Sequence, residues 1–167
     1  GTFHSICLRL LSKQNDVTII GESEALSIAE EVFQELGIKG SPGKFLQSIS
    51  SWKNGYREAP GAKYPPEAFS LYCQRLKEYG VLDCDDLLLE ALNLPQITFP
   101  YLLTDEFQDI NDIQYKLIQS WSQNGKSLFV IGDPDQSIYG FRGSDRHCFE
   151  RLQQDYPELE TIHLVKN

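Results

Sequence analysis

Two short apolar runs, each spilling into a polar cluster, hold the residues from which chemistry could be built. Tyr101-Leu102-Leu103-Thr104 runs into Asp105-Glu106-Phe107-Gln108-Asp109. Ser127-Leu128-Phe129-Val130-Ile131 runs into Gly132-Asp133-Pro134-Asp135-Gln136 and on through Tyr139, Phe141 and Arg142 to Ser144. In open α/β sheets, ligands sit at the carboxyl ends of parallel strands. An acidic pair at one strand end and a glutamine loop at the next are what a magnesium–nucleotide site needs on that edge. Phosphoryl transfer is catalysed mainly by positioning and charge neutralisation, and magnesium takes one or two carboxylates while keeping several waters. Asp105, first off its strand, is the candidate metal-side acid, and Glu106 the candidate for polarising water. The neutral amide of Gln136 can touch a terminal phosphate without repelling it. The competing reading of Asp105-Glu106 is an ordinary strand-to-helix turn whose acids favour the next helix's N-terminus. The second loop beside it weighs against that.

These residues need elements to hold them. Strands are expected over 100–105 and 127–132, joined by a helix over 112–124, which is a parallel βαβ unit with Asp105 and Gln136 on one edge. Upstream, the apolar spacing predicts helices over His4–Ser12, with Ser5 as cap, and over Ser23–Leu36, closed by Gly37. A shorter helix is expected over Lys44–Trp52, then a Pro- and Gly-rich loop over Asn54–Pro66, then a helix over Pro66–Tyr79. Val17–Ile20 reads as a strand or an extended connector. Asp85 or Asp86 should cap a helix running to Leu94 and stopped by Pro95. A helix around Asp145–Asp155 and a short strand over Thr161–Val165 complete the pattern.

With those residues in place, the chain resembles UvrD/Rep-type superfamily 1 DNA helicases. Asp105-Glu106-Phe107-Gln108-Asp109 is similar to their Walker B segment, and Gly132–Ser144 to the motif that couples ATP state to single-stranded DNA. Thr2-Phe3-His4-Ser5 resembles a DNA-contacting motif, and Leu82-Asp83-Cys84-Asp85-Asp86-Leu87-Leu88 the acidic-apolar signature before Walker B. Two positions depart from the pattern: Phe141 stands where Trp is usual, and Cys84 where an aromatic is usual.

The resemblance implies an α/β fold: an incomplete parallel P-loop NTPase (RecA-like) sheet with flanking helices and a mainly helical insert. The motor part would be residues 1–12 and 81–167, and the accessory insert residues 13–80. It implies ATP and Mg2+ as cofactors, with Asp105 on magnesium, Glu106 as water-activating base and Gln136 as γ-phosphate sensor. Thr2, Phe3, His4, Tyr139 and Phe141 would contact DNA, and Arg142 would couple the two sites. The implied activity is 3′→5′ translocation on single-stranded DNA with unwinding at a duplex junction, in a DNA repair setting. The alternatives are the helicase subunit of a helicase–nuclease and a non-catalytic nucleic-acid-binding module.

No Gly-x-x-x-x-Gly-Lys-Ser/Thr loop occurs in the sequence. Gly125-Lys126-Ser127 has Ser120 where the first glycine belongs, and Gly43-Lys44-Phe45 has Ile38 there. With no initial Met as well, the chain reads as a fragment. Its expected partners then include the remainder of the helicase chain, with the Walker A lysine upstream, and the fragment alone is expected to be inactive. A nuclease using Asp105, Glu106 and Asp109 is disfavoured, because no Glu-x-Lys is present. The formal net charge of −9 weighs against nucleic-acid binding. Residues 39–64, however, hold Lys39, Lys44, Lys53, Arg57 and Lys63 interleaved with Phe45, Trp52, Tyr56 and Tyr64. That pattern suits base stacking, and equally a solvated loop with its aromatics turned into the core. Cys7, Cys73, Cys84 and Cys148 show no metal-ligand spacing and read as reduced cytoplasmic thiols, with Cys7 and Cys84 as packing residues. No membrane-length apolar run is present.

Overall fold

The computed structural model describes residues 1–55, 63–95, 97–136 and 148–164. Helix α1 (Phe3–Leu11) is capped by Thr2, whose Oγ1 accepts the Ser5 N–H at 3.2 Å. Ser5, the expected cap, lies inside the first turn and returns its own hydroxyl to the Thr2 carbonyl. Helix α2 (Glu22–Leu36) opens with the Gly21 N–H donating to the Glu24 carboxylate at 3.1 Å and closes on Gly37 at φ 64°. Helix α3 (Pro42–Lys53) begins behind Ser41 with Pro42 in its first turn. Helix α4 (Pro66–Tyr79) likewise begins with Pro66 and closes on the left-handed Gly80. These boundaries match the cap and breaker residues, because proline fits a first turn and glycine the left-handed closing position.

Helices α2, α3 and α4, with Tyr64 just before α4, build one core. Phe45 lies at its centre, with Phe33, Tyr64 and Phe69 rings each 5.3 Å from its own. The cluster draws its buried residues from 28–76 only. A second cluster joins α1, α5 (Cys84–Leu92) and α6 (Asp112–Ser122) through Cys7, Leu87, Leu88, Leu117 and Trp121. A third gathers Phe107, Tyr115, Ile118, Cys148 and Leu152 between α6 and α7 (Cys148–Asp155).

Strands β1 (Tyr101–Thr104) and β2 (Ser127–Val130) pair in parallel, in register from Tyr101 opposite Ser127 to Thr104 opposite Val130. Helix α6 connects them, as the two strand-then-loop units required. Alternation does the rest. Leu102 and Val130 pack inward, while Tyr101, Leu103 and Phe129 face out and are exposed.

Several expectations are corrected. Helix α5 is capped by Asp83, not Asp85 or Asp86, and its Oδ1 accepts the Asp86 N–H at 2.9 Å. That helix ends at Leu92. The run Val17–Ile20 contributes one bridge, Ile19 to Leu82, rather than a strand. Residues 161–164 pair with nothing among the described residues, and Ile162 and Leu164 are exposed. Their alternation had no neighbouring strand to register against. Cys84 is exposed rather than packed, whereas Cys148 is buried. Burial pushes the Cys7 thiol up to about 11, so it stays protonated.

Candidate active site

At the end of β1 the chain turns sharply. Thr104 is buried, Asp105 and Glu106 are exposed, and Phe107 and Gln108 are buried again. The reversal is made at Glu106, which sits in the left-handed region at φ 53° and ψ 44°. A non-glycine residue there carries about 1–2 kcal/mol of strain, so the surroundings must hold it. The Glu106 N–H donates to Asp105 Oδ1 at 3.0 Å. The Phe107 N–H donates to the Ile131 carbonyl at 3.0 Å, one step beyond the Ile131 N–H bond to Thr104 at 2.8 Å. The sheet ladder thus carries on past both strands and ties the two loops together.

The second loop is ordered by its own aspartate. Asp133 accepts the Asp135 N–H on Oδ1 at 3.0 Å and the Gln136 side-chain amide on Oδ2 at 2.7 Å. A 3-10 turn over Pro134–Gln136 follows, with Gln136 exposed. Between the loops lies Gln108, which donates to Glu106 Oε2 at 2.6 Å and accepts the Asp133 N–H at 3.0 Å. A Cβ at Gly132 would stand 2.6 Å from Gln108 Oε1, 2.9 Å from Phe149 Cζ and 3.0 Å from Phe107 N, so a side chain there would have to displace the buried Gln108 amide.

Asp105, Glu106 and Gln136 therefore lie on loops that leave the same ends of two paired parallel strands. Asp105 offers an exposed hard-oxygen donor, which fits a magnesium ion that keeps most of its waters. Asp109 is half-buried, with Oδ1 enclosed and without a hydrogen-bond partner. Among the described residues, no three His, Cys, Asp or Glu side chains converge as a metal cluster. Tyr139, Phe141 and Arg142 lie outside the described residues. The sequence alone assigns no role to Gln108, Gly132 or Asp133. The signal for Gln108 is its place in the acidic cluster beside Glu106, whereas Asp133, which it also bonds, is 25 residues away.

At the start of the chain, Thr2 is exposed as the helix cap and His4 is half-buried. Phe3 stacks on Trp121, ring centroids 5.9 Å apart, and is partly buried. The basic-aromatic stretch divides: Lys39, Lys44 and Lys63 are exposed, while others of its residues turn into the core. Phe45 and Tyr64 are buried, and Lys53 is buried in ion pairs with Asp83 and Asp86 at 2.7 Å each. Trp52 remains exposed, while Tyr56 and Arg57 lie outside the described residues. No helix among the described residues is long and apolar enough to cross a membrane.

Over 195 aligned positions the chain is 34% identical to the ATP-dependent DNA helicase PcrA of Staphylococcus aureus, covering 99% of this chain and 27% of that protein. PcrA of Staphylococcus epidermidis is 33% identical over the same shares. The chain thus spans about a quarter of the length of the curated relatives it matches. The family model described as the UvrD/REP helicase N-terminal domain matches residues 1–157, and the chain belongs to that family.

Proposed function

We propose that this chain forms part of the motor of an ATP-dependent DNA helicase, supplying the water-activating and phosphate-sensing side of its ATP site. The observation that carries this reading is the parallel β1–β2 pair, whose two loops are hydrogen-bonded to each other at one sheet edge. Asp105 would hold the magnesium ion, whose contribution when bound is to neutralise phosphate charge. Glu106 takes the proton of the attacking water, and Gln136 contacts the terminal phosphate. Tyr139 and Phe141 stack on bases, and Arg142 links that contact to the nucleotide. Thr2, Phe3 and His4 meet the strand at the head of α1, Phe3 with the part of its ring that Trp121 leaves uncovered. Residues 13–80 act as the helical accessory unit, and movement on single-stranded DNA runs 3′→5′ toward a duplex junction.

The sequence holds no Gly-x-x-x-x-Gly-Lys-Ser/Thr loop, so on this reading the triphosphate would be cradled by residues outside these 167. The isolated chain is therefore expected to hydrolyse no ATP. In a full-length polypeptide, Glu106→Gln should lower DNA-stimulated hydrolysis by about 10²–10⁴-fold, the usual worth of a general base, with ATP still bound. Turnover that survives Glu106→Gln would refute the assignment. So would hydrolysis by the 167-residue chain that the same substitution abolishes. A nuclease site is the weaker reading, because a two-metal frame needs converging carboxylates and the described residues bring no such cluster together.

A further inference from the structure

We propose that Gln108 is a positioning residue for hydrolysis: its buried side-chain amide sets the Glu106 carboxylate and couples it to the loop that carries Gln136. This rests on the reading of Glu106 as the water-activating group.

The argument begins with the two partners. The Glu106 carboxylate can only accept hydrogen bonds, and the Asp133 backbone N–H can only donate. A side chain that satisfies both must carry a donor and an acceptor at its tip, as a carboxamide does. Gln108 is 3% exposed, and both ends of its amide are used: Nε2 lies 2.6 Å from Glu106 Oε2, and Oε1 lies 3.0 Å from the Asp133 nitrogen. From Asp133 the chain of bonds runs on, since its Oδ2 accepts the Gln136 amide at 2.7 Å. Glu106 and Gln136 are thus joined through Gln108 and Asp133 by three consecutive hydrogen bonds.

Other residue types break this path in different places. Leucine fills the same space but leaves the Asp133 N–H unpaired and Glu106 unheld. Asparagine is a methylene short. Glutamate keeps an acceptor for Asp133 but sets a second carboxylate against Glu106. The neighbouring backbone is fitted to the amide as well, for a Cβ at Gly132 would fall 2.6 Å from Gln108 Oε1 and 2.9 Å from Phe149 Cζ. Glu106 itself is exposed. An exposed glutamate samples several rotamers unless a bond selects one, and the Gln108 amide supplies that selection. When Gln136 turns from Asp133 toward a phosphate oxygen, the altered hydrogen bonding of Asp133 is felt at Gln108 and so at Glu106.

The test is steady-state ATP hydrolysis by the full-length polypeptide that carries this chain, with Gln108→Leu, Gln108→Glu, Glu106→Gln and the Glu106→Gln/Gln108→Leu pair. Melting temperature is measured on each sample. The Gln108 variants should lose about 10–100-fold in kcat, the scale expected when a reacting group is misplaced by about an ångström, with KM for ATP essentially unchanged. Adding Gln108→Leu to Glu106→Gln should cost no further activity, because both act through the same carboxylate. A purely structural role would instead lower the melting temperature and leave kcat per folded molecule intact; that result overturns the proposal. If Gln108→Leu fails to fold, Gln108→Glu decides alone, since it retains the acceptor for Asp133, and wild-type kcat in it overturns the proposal. The two layers separate cleanly. Full turnover in Glu106→Gln removes the functional reading and this inference with it. Loss of turnover in Glu106→Gln beside unaffected Gln108 variants removes this inference only.

Discussion

Glu106 bears the strain of the site. Its φ of 53° puts an ordinary L-residue in the left-handed region, and the flanking bonds from Phe107 and Gln108 hold it there. Glycine at this position would relieve the strain while losing the carboxylate. Alanine would lose the carboxylate and keep the strain. Glu106→Gly should therefore be more stable than Glu106→Ala by about 1 kcal/mol, read by chemical denaturation of the chain itself, although neither variant should support hydrolysis. Equal stability, or a more stable alanine variant, would mean that the turn is not left-handed in solution. At this scale the sequence was informative for residues whose chemistry is local. An acidic pair after an apolar run and a glutamine in a Gly-Asp-Pro-Asp loop announce themselves by type and order. Gln108 did not, because its role depends on a backbone N–H brought close only by strand pairing. Phe3 shows the same limit: nothing local says that Trp121 will cover part of its ring.

Between elements, charges act as fasteners. Lys53 at the end of α3 reaches Asp83 and Asp86 at the start of α5, and Asn54 donates to Asp85 at 2.7 Å. Burial pulls the Lys53 ammonium down, but the two carboxylates outweigh it and hold its pKa above the ordinary lysine value. Lys53→Met should cost about 3–5 kcal/mol, because it strands two largely enclosed carboxylates. Combining it with Asp83→Asn and Asp86→Asn should recover much of that loss, since asparagine still caps a helix. Equilibrium unfolding in urea measures both, and a triple variant no better than Lys53→Met would show that the charges are not the cause. A second fastener joins α6 to α7, where Asp112 Oδ1 accepts from Arg151 at 2.7 Å. Burial raises the Asp112 pKa, but bonds from Lys116 and Arg151 more than reverse this and leave it below the ordinary aspartate value. A lowered carboxyl pKa contributes stability that is present above the unfolded value and lost as pH falls through the folded one. Asp112→Asn should therefore lower stability by about 1 kcal/mol or less at neutral pH, given solvent screening, and match the wild type at strongly acidic pH. A gap in melting temperature that persists at acidic pH would place the effect elsewhere. The helix ends were legible in Gly37 and Pro66. The α5 cap was not: Asp83, Asp85 and Asp86 are equally able caps by type, and Lys53, a distant residue, binds both Asp83 and Asp86.

For the whole molecule, the sheet is the unusual part. A parallel sheet is normally covered on both faces, yet here one face leaves Tyr101 71% and Leu103 67% exposed, with Phe129 and Ile131 beside them. The expected parallel unit was readable because each strand ended in its own loop. The extent of the sheet was not, because a four-residue alternating run such as 161–164 becomes a strand only if a neighbour is there to pair with. Contiguous exposed apolar surface favours association. The curated relatives are about four times as long as this chain, and on the proposed function the rest of a longer polypeptide is expected to cover this face. The isolated chain should then bind hydrophobic dye and self-associate as its concentration rises. Leu103 and Phe129 are register partners across the two strands, so Leu103→Lys with Phe129→Glu places opposite charges side by side on the open face. Such a cross-strand pair contributes roughly 0.2–1 kcal/mol, so the double variant should suppress association and dye binding without lowering the melting temperature of the isolated chain. In the full-length polypeptide the same pair would be buried, and should destabilise by several kcal/mol as charges taken out of water do. Sedimentation, dye fluorescence and thermal melts on both lengths decide it. A monomeric, dye-dark wild-type chain, or a charge pair harmless at full length, would show that this face is not an interior surface.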